Sequence, residues 1–92
     1  MEIPMCRLKV GVVGNIGDRE QRRVKKKWLK GVKNTLMRRF SNTMYNDILF
    51  IAENDDTMWL LYTSGFQNIV VDKSSSSYDL VLDLDRCEIK FC

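Results

Sequence analysis

The chain has 92 residues, 45% of them hydrophobic and 29% charged, with a single proline. That length suits one domain, residues 1–92, with a modest core, and the composition argues against wholesale disorder. With no histidine and three cysteines, Cys6, Cys87 and Cys92, that share no CxxC spacing, a zinc site and a histidine-assisted nucleophile are both excluded. No cofactor, no metal and no catalytic activity are therefore expected.

The net charge of +3 hides a strong asymmetry. Residues 1–42 hold twelve Lys and Arg against three acids, +9, whereas residues 43–92 hold three against nine, −6. The chain is an electrical dipole along its sequence, a pattern that points to an interaction surface in its first half.

In chain order, MCRLKVGVV, residues 5–13, alternates Cys6, Leu8, Val10 and Val12 against Arg7, Lys9 and Gly11. That is the period of a half-buried strand. GNIGD turns the chain, and Gly11, Gly14 and Gly17 give a passing likeness to a phosphate-binding loop. The Lys-Ser/Thr of such a loop is absent, and Asp18 follows the last glycine. A tight strand-to-helix turn accounts for the glycines. Asp18 with Gln21 three residues on predicts a helix start, and Glu20 suits the positive helix end.

The helix should run from about residue 19 to residue 40. Val24, Trp28, Val32, Leu36 and Phe40 recur every four, joined by Leu29, and predict the core-facing stripe. Gln21 to Arg39 holds nine Lys and Arg without an acid. At about 100° per residue, Arg19, Arg23, Lys26, Lys27, Lys30, Asn34 and Arg38 fall on the opposite side, with Arg22 and Lys33 flanking it. Lys25 and Arg39 project toward the apolar side, where a long aliphatic stem must carry the charge back to water.

SNTMYN is expected as a loop. Beyond it, DILFIAE, TMWLLYT, FQNIVVD, YDLVLDL and CEIKFC, separated by NDD, SG, KSSSS and DR, read as four or five short strands. The predicted fold is α+β: an N-terminal strand, one long basic amphipathic helix packed on one sheet face, then an antiparallel meander. In YDLVLDL, Tyr78, Leu80, Leu82 and Leu84 should share one face, with Asp79, Asp83 and Asp85 largely on the other. ILFIA and MWLLY are apolar on both faces, and one helix covers only one. The second face, with Leu49, Ile51, Trp59 and Leu61, is therefore expected to form an oligomer interface, a homodimer first, or else to curl over itself into a barrel or strongly bent sheet.

The function expected from this pattern is non-catalytic binding of nucleic acid through the phosphate backbone, without sequence preference and with RNA ahead of DNA. The contacts would be Arg19, Arg23, Lys26, Lys27, Lys30, Lys33 and Arg38. A solvated helix face usually mixes signs to gain i,i+4 pairs, and this one does not. Trp28 is assigned to the core and Trp59 to the interface, which leaves little for base stacking and favours a duplex read by shape. The alternative is a protein-interaction or self-assembly module, a small matrix-like or adaptor protein that uses its charge polarity and an apolar sheet face, with an acidic protein as partner. A membrane surface is disfavoured because the sheet needs the apolar stripe of the helix. Asp55, Asp56, Asp79, Asp83, Asp85 and Glu88 lack a calcium-loop pattern and read as solvated. No N-x-S/T acceptor site and no signal-peptide pattern occur, so a cytoplasmic or nuclear location is expected, and a viral or accessory protein would suit so small a chain.

Overall fold

Asp18 starts the longest element. Its carboxylate accepts from the Gln21 N–H at 2.9 Å, and the Gln21 side chain accepts from the Asp18 N–H at 3.2 Å. This closes two of the amides that a helix start leaves without partners. Helix α1 then spans Arg19–Arg39. The computed structural model describes residues 8–73 and 77–91 and shows an α+β fold, a long helix on a five-stranded mixed sheet. Met5, Cys6 and Arg7 of the expected first strand, Ser74 to Ser76, and Cys92 lie outside the described residues.

The remaining elements are β1 (Lys9–Val13), α2 (Asn42–Asn46), β2 (Leu49–Ala52), α3 (Asp55–Thr63), β3 (Ile69–Val71), β4 (Leu80–Asp83) and β5 (Glu88–Phe91). The strand order is β3-β2-β1-β4-β5. β1 pairs in parallel with both β2 and β4, and β2 pairs in parallel with β3. Only the β4–β5 hairpin is antiparallel. The expected meander is thus corrected to a mixed sheet, and SNTMYN contributes a one-turn helix capped by Ser41 in place of a loop.

The cause of the difference is TMWLLYT, which is the body of helix α3 and not a strand. Asn54 caps it, its side-chain oxygen accepting from the Thr57 N–H at 2.8 Å, and Asp55 and Asp56 occupy the positive first turn. At the other end Gly65 takes φ +95°, the Phe66 N–H donates to the Leu61 carbonyl at 3.1 Å, and the Gly65 N–H donates to that of Tyr62 at 3.1 Å. That reciprocal closure needs a residue without a Cβ at position 65. A helix between β2 and β3 is the crossover that a parallel pair requires.

The core lies between the sheet and the two longer helices. Val10, Val12, Phe50, Ala52, Leu80 and Leu82 meet Leu29, Val32, Leu36, Leu60 and Leu61 there. Phe50 and Phe66 touch edge to face, centroids 4.8 Å apart. Leu29 is fully buried, so Leu29→Ala should cost about 2–5 kcal/mol through lost transfer energy and the cavity left behind.

The stripe of α1 that enters this core is Lys25, Leu29, Val32 and Leu36. Val24, expected on the stripe, is 62% exposed, and Trp28 and Phe40 pack at the core margin. The helix is rotated from the predicted orientation because the spacing 25, 29, 32, 36 follows 3.6 residues per turn more closely than a strict repeat of four. Lys25 does reach the apolar side, as its position predicted. Its stem is buried, and its ammonium donates to the Asn15 carbonyl in the β1–α1 loop.

Pairing puts Val70, Ile51, Gly11, Val81 and Lys90 in one row across the sheet. Gly11 neighbours Val10 and Val12 along β1, so this row faces away from the helices. A methyl group at Gly11 would stand 2.6 Å from the Tyr78 ring, which lies against that strand. Tyr78 therefore departs from the alternation that placed it with Leu80, Leu82 and Leu84. Those three leucines are buried as expected.

The predicted interface residues do not share a surface. Leu61 is fully buried on α3, Ile51 is buried on the sheet row away from the helices, and Leu49 is half-buried on β2. Trp59 sits on the exposed side of α3. Reading residues 57–63 with period 2 had joined residues that a helix separates.

Candidate nucleic-acid interface

Helix α1 carries all seven predicted contact residues. Arg19, Arg23, Lys27, Lys30 and Arg38 are exposed, while Lys26 and Lys33 are half-buried. With the core centred on Lys25, Leu29, Val32 and Leu36, Arg23, Lys27 and Asn34 point straight outward at about 100° per residue. Lys26 and Lys33 lie on the flank that turns to α3. Arg22 and Lys26 border a cleft of about 270 Å³ together with Asp56, Trp59, Leu60 and Thr63 of α3. Lys33 ends close to Gly65, at the carbonyl-rich end of α3, where a cation is favoured.

Among the described residues the ion pair shown is Lys90–Asp83, at 3.3 Å on the β4–β5 hairpin. No cation of α1 stands within ion-pair distance of a carboxylate there. The helix therefore presents a field of positive charge about 30 Å long, at 1.5 Å per residue, whose cations have no ion-pair partner among the described residues.

The other polar region, at the carboxyl ends of the parallel strands, is closed on itself. The Gly14 N–H donates to Glu53 at 3.3 Å and the Asn15 N–H to Asp85 at 3.0 Å. At the opposite, amino ends of β1 and β4, Asp79 accepts from the Lys9 N–H at 2.9 Å. Two amides that a phosphate would use in the β1–α1 loop, those of Gly14 and Asn15, are thus already answered by carboxylates, whose charge repels an anion. This accords with the reading of GVVGNIG as a turn. A cleft of about 380 Å³ beside it, bordered by Gly14, Arg22, Asn54 and Asp56, carries mixed charge.

Asp83 is the acid with the clearest shift. Partial burial pushes its carboxyl up. Hydrogen bonds from Lys90 and from the Asp85 and Arg86 amides, with the charge of Lys90, outweigh that and hold its pKa below the ordinary aspartate value. Burial also raises the Tyr45 phenol. Cys87 is a half-buried free thiol at φ +52° in the turn before β5, not a strand residue as predicted. Among the described residues no group of three His, Cys, Asp or Glu side chains is arranged to hold a metal ion, and no helix is long and apolar enough to cross a membrane.

Sequence reasoning missed the exposed aromatic pair on α3. Trp59 is 57% exposed and Tyr62 65%, with ring centroids 5.8 Å apart and planes at 83°. The signal was present in Asn54, Asp55 and Asp56, a helix start that puts residues 56, 59, 62 and 63 on one face. Comparison of the chain with protein-family models, with curated proteins and with solved structures finds no match.

Proposed function

We propose that this chain is a non-catalytic nucleic-acid-binding protein that grips the phosphate backbone through α1, with RNA ahead of DNA. The observation that carries the reading is the set of seven accessible cations on one helix, none of them paired with a carboxylate among the described residues. Each cation that neutralises a phosphate releases counterions, and that release is the main driving force for sequence-independent binding. Arg19, Arg23, Lys26, Lys27, Lys30, Lys33 and Arg38 act as charge contacts and read no bases. A homodimer would double this footprint. The four predicted residues could not form its interface together, since Ile51 and Leu61 are buried within one chain.

Fluorescence anisotropy with labelled RNA and DNA across a salt series tests the proposal. Log affinity should fall linearly with log salt, with a slope of about −0.9 per phosphate neutralised on a duplex and about −0.7 on a single strand. A slope near zero, or no binding at about 0.15 M salt, would defeat it.

A further inference from the structure

We infer that the surface around Trp59, from the α1–α3 cleft on one side to a pocket between α3 and β3 on the other, takes unpaired nucleobases, so that the preferred ligand is single-stranded nucleic acid. This rests on the backbone-binding reading and specifies its ligand. Trp59 stands between two concavities. On one side is the cationic cleft it shares with Arg22 and Lys26. On the other is a pocket of about 470 Å³ that it borders with Met58, Tyr62, Phe66, Gln67 and Ile69.

The pocket's wall is mostly apolar and aromatic, with Gln67 and Asn68 supplying amides at one end. The Asn68 amide donates to the Asn46 carbonyl at 2.5 Å, and Gln67, also exposed, offers a second carboxamide. The perpendicular rings of Trp59 and Tyr62 form a corner, where a planar base stacked on one ring meets the edge of the other.

Charge selects the occupant. An apolar peptide would fill the pocket but gain nothing from Arg22 and Lys26. A single strand carries a flat apolar base and an anionic backbone within the same nucleotide, and this surface presents a match for each side by side. A duplex keeps its bases stacked and offers the aromatic wall nothing. Asp56 borders the cleft at the start of α3. Repulsion there directs the backbone toward Lys26 and Lys33, the latter beside Gly65 at the far end of the same helix. The duplex preference expected from sequence assumed that Trp59 was covered, and its exposure removes that premise.

The test compares four probes of equal length: single-stranded RNA, single-stranded DNA, an abasic strand with the same phosphates, and an RNA duplex. Each is titrated against the wild-type chain, Trp59→Ala, and the triple variant Lys26→Glu, Lys27→Glu, Lys30→Glu. Wild type should bind the base-bearing single strands more tightly than the abasic strand and the duplex. Trp59→Ala should weaken binding of those single strands by about 5- to 150-fold per stacked base, leaving abasic and duplex binding and the salt slope unchanged. Quenching of Trp59 fluorescence in a Trp28→Phe background should accompany binding of the base-bearing strands only.

If Trp59→Ala leaves single-strand affinity intact while the triple variant abolishes it, the stacking inference fails and backbone binding stands. Equal weakening of all four probes would give Trp59 a structural role and overturn the inference. Absence of binding to every probe would overturn both readings. So would self-association that is lost in Trp59→Ala and unaffected by nucleic acid, because the surface would then belong to a second copy of the chain.

Discussion

The outer face of α1 and the carboxyl ends of the parallel strands are the two most charged regions of the molecule, and they treat charge in opposite ways. At those carboxyl ends Glu53 and Asp85 accept from backbone amides, and Asp83 pairs with Lys90 while accepting from two more. On α1 the cations find no carboxylate among the described residues. The acids at the strand ends close turns that a short parallel sheet leaves open, while the outward cations of α1 have no such partner among the described residues. A net charge of +3 conceals this division, because it sums charges already bound within the fold with charges free to meet a partner.

Four substitutions or titrations would break or sharpen that contrast. The largest effect is expected from reversing Lys26, Lys27 and Lys30 to glutamate. RNA affinity should fall at least about 100-fold, while circular dichroism and Tm stay close to wild type, since Lys27 and Lys30 are exposed and Lys26 lies half-buried at the edge of the α1–α3 cleft. A collapse of Tm would show that the face is structural after all. Asp85→Ala should do the reverse. Loss of the acceptor for the Asn15 N–H should cost about 1–2 kcal/mol, visible as a lower urea midpoint, with RNA affinity unchanged or slightly raised. Asp18→Ala removes half of the capping box of α1 and should cost about 1 kcal/mol, a drop in Tm of roughly 4–8 °C for a domain of this size. The smallest effect is pH-dependent. Because the pKa of Asp83 is lower in the folded chain than in the unfolded one, its stabilising contribution is complete above the ordinary aspartate range and is lost as pH falls through the folded value. Thermal melts from about pH 5 down to about pH 2 should therefore show a decline that is shallower in Asp83→Asn.

Much of α1 was legible in the sequence. Asp18 and Gln21 named its start, and Arg23, Lys27, Lys30 and Arg38 are exposed as expected, whereas the apolar stripe was rotated by the weight given to Val24 and Lys26 turned to the α3 flank. α3 was not legible by the same means. MWLLY is short, aromatic and apolar at every position, and a run of that kind gives no period to separate strand from helix. Its ends held the information: Asn54 with two aspartates after it, and Gly65 just beyond Ser64. Misreading that one element turned a parallel crossover into a hairpin, made the sheet a meander, and converted the exposed Trp59 into an expected interface. ILFIA could have signalled the error, because a strand apolar on both faces is what the interior of a parallel sheet requires.

Gly31 lies near the middle of α1 with no atom within 4 Å of the place where its Cβ would be. It sits between Leu29 and Val32, the buried residues that clamp the helix to the sheet, and it gives up helix propensity of about 1 kcal/mol relative to alanine. Local opening of α1 should therefore begin at this point, and the amides of the turn around it should exchange with solvent deuterium sooner than those at Leu29 or Leu36. Gly31→Ala would slow that exchange without adding a contact, so the rhythm of the longest helix in the molecule can be retuned from a position that touches neither the core nor a ligand.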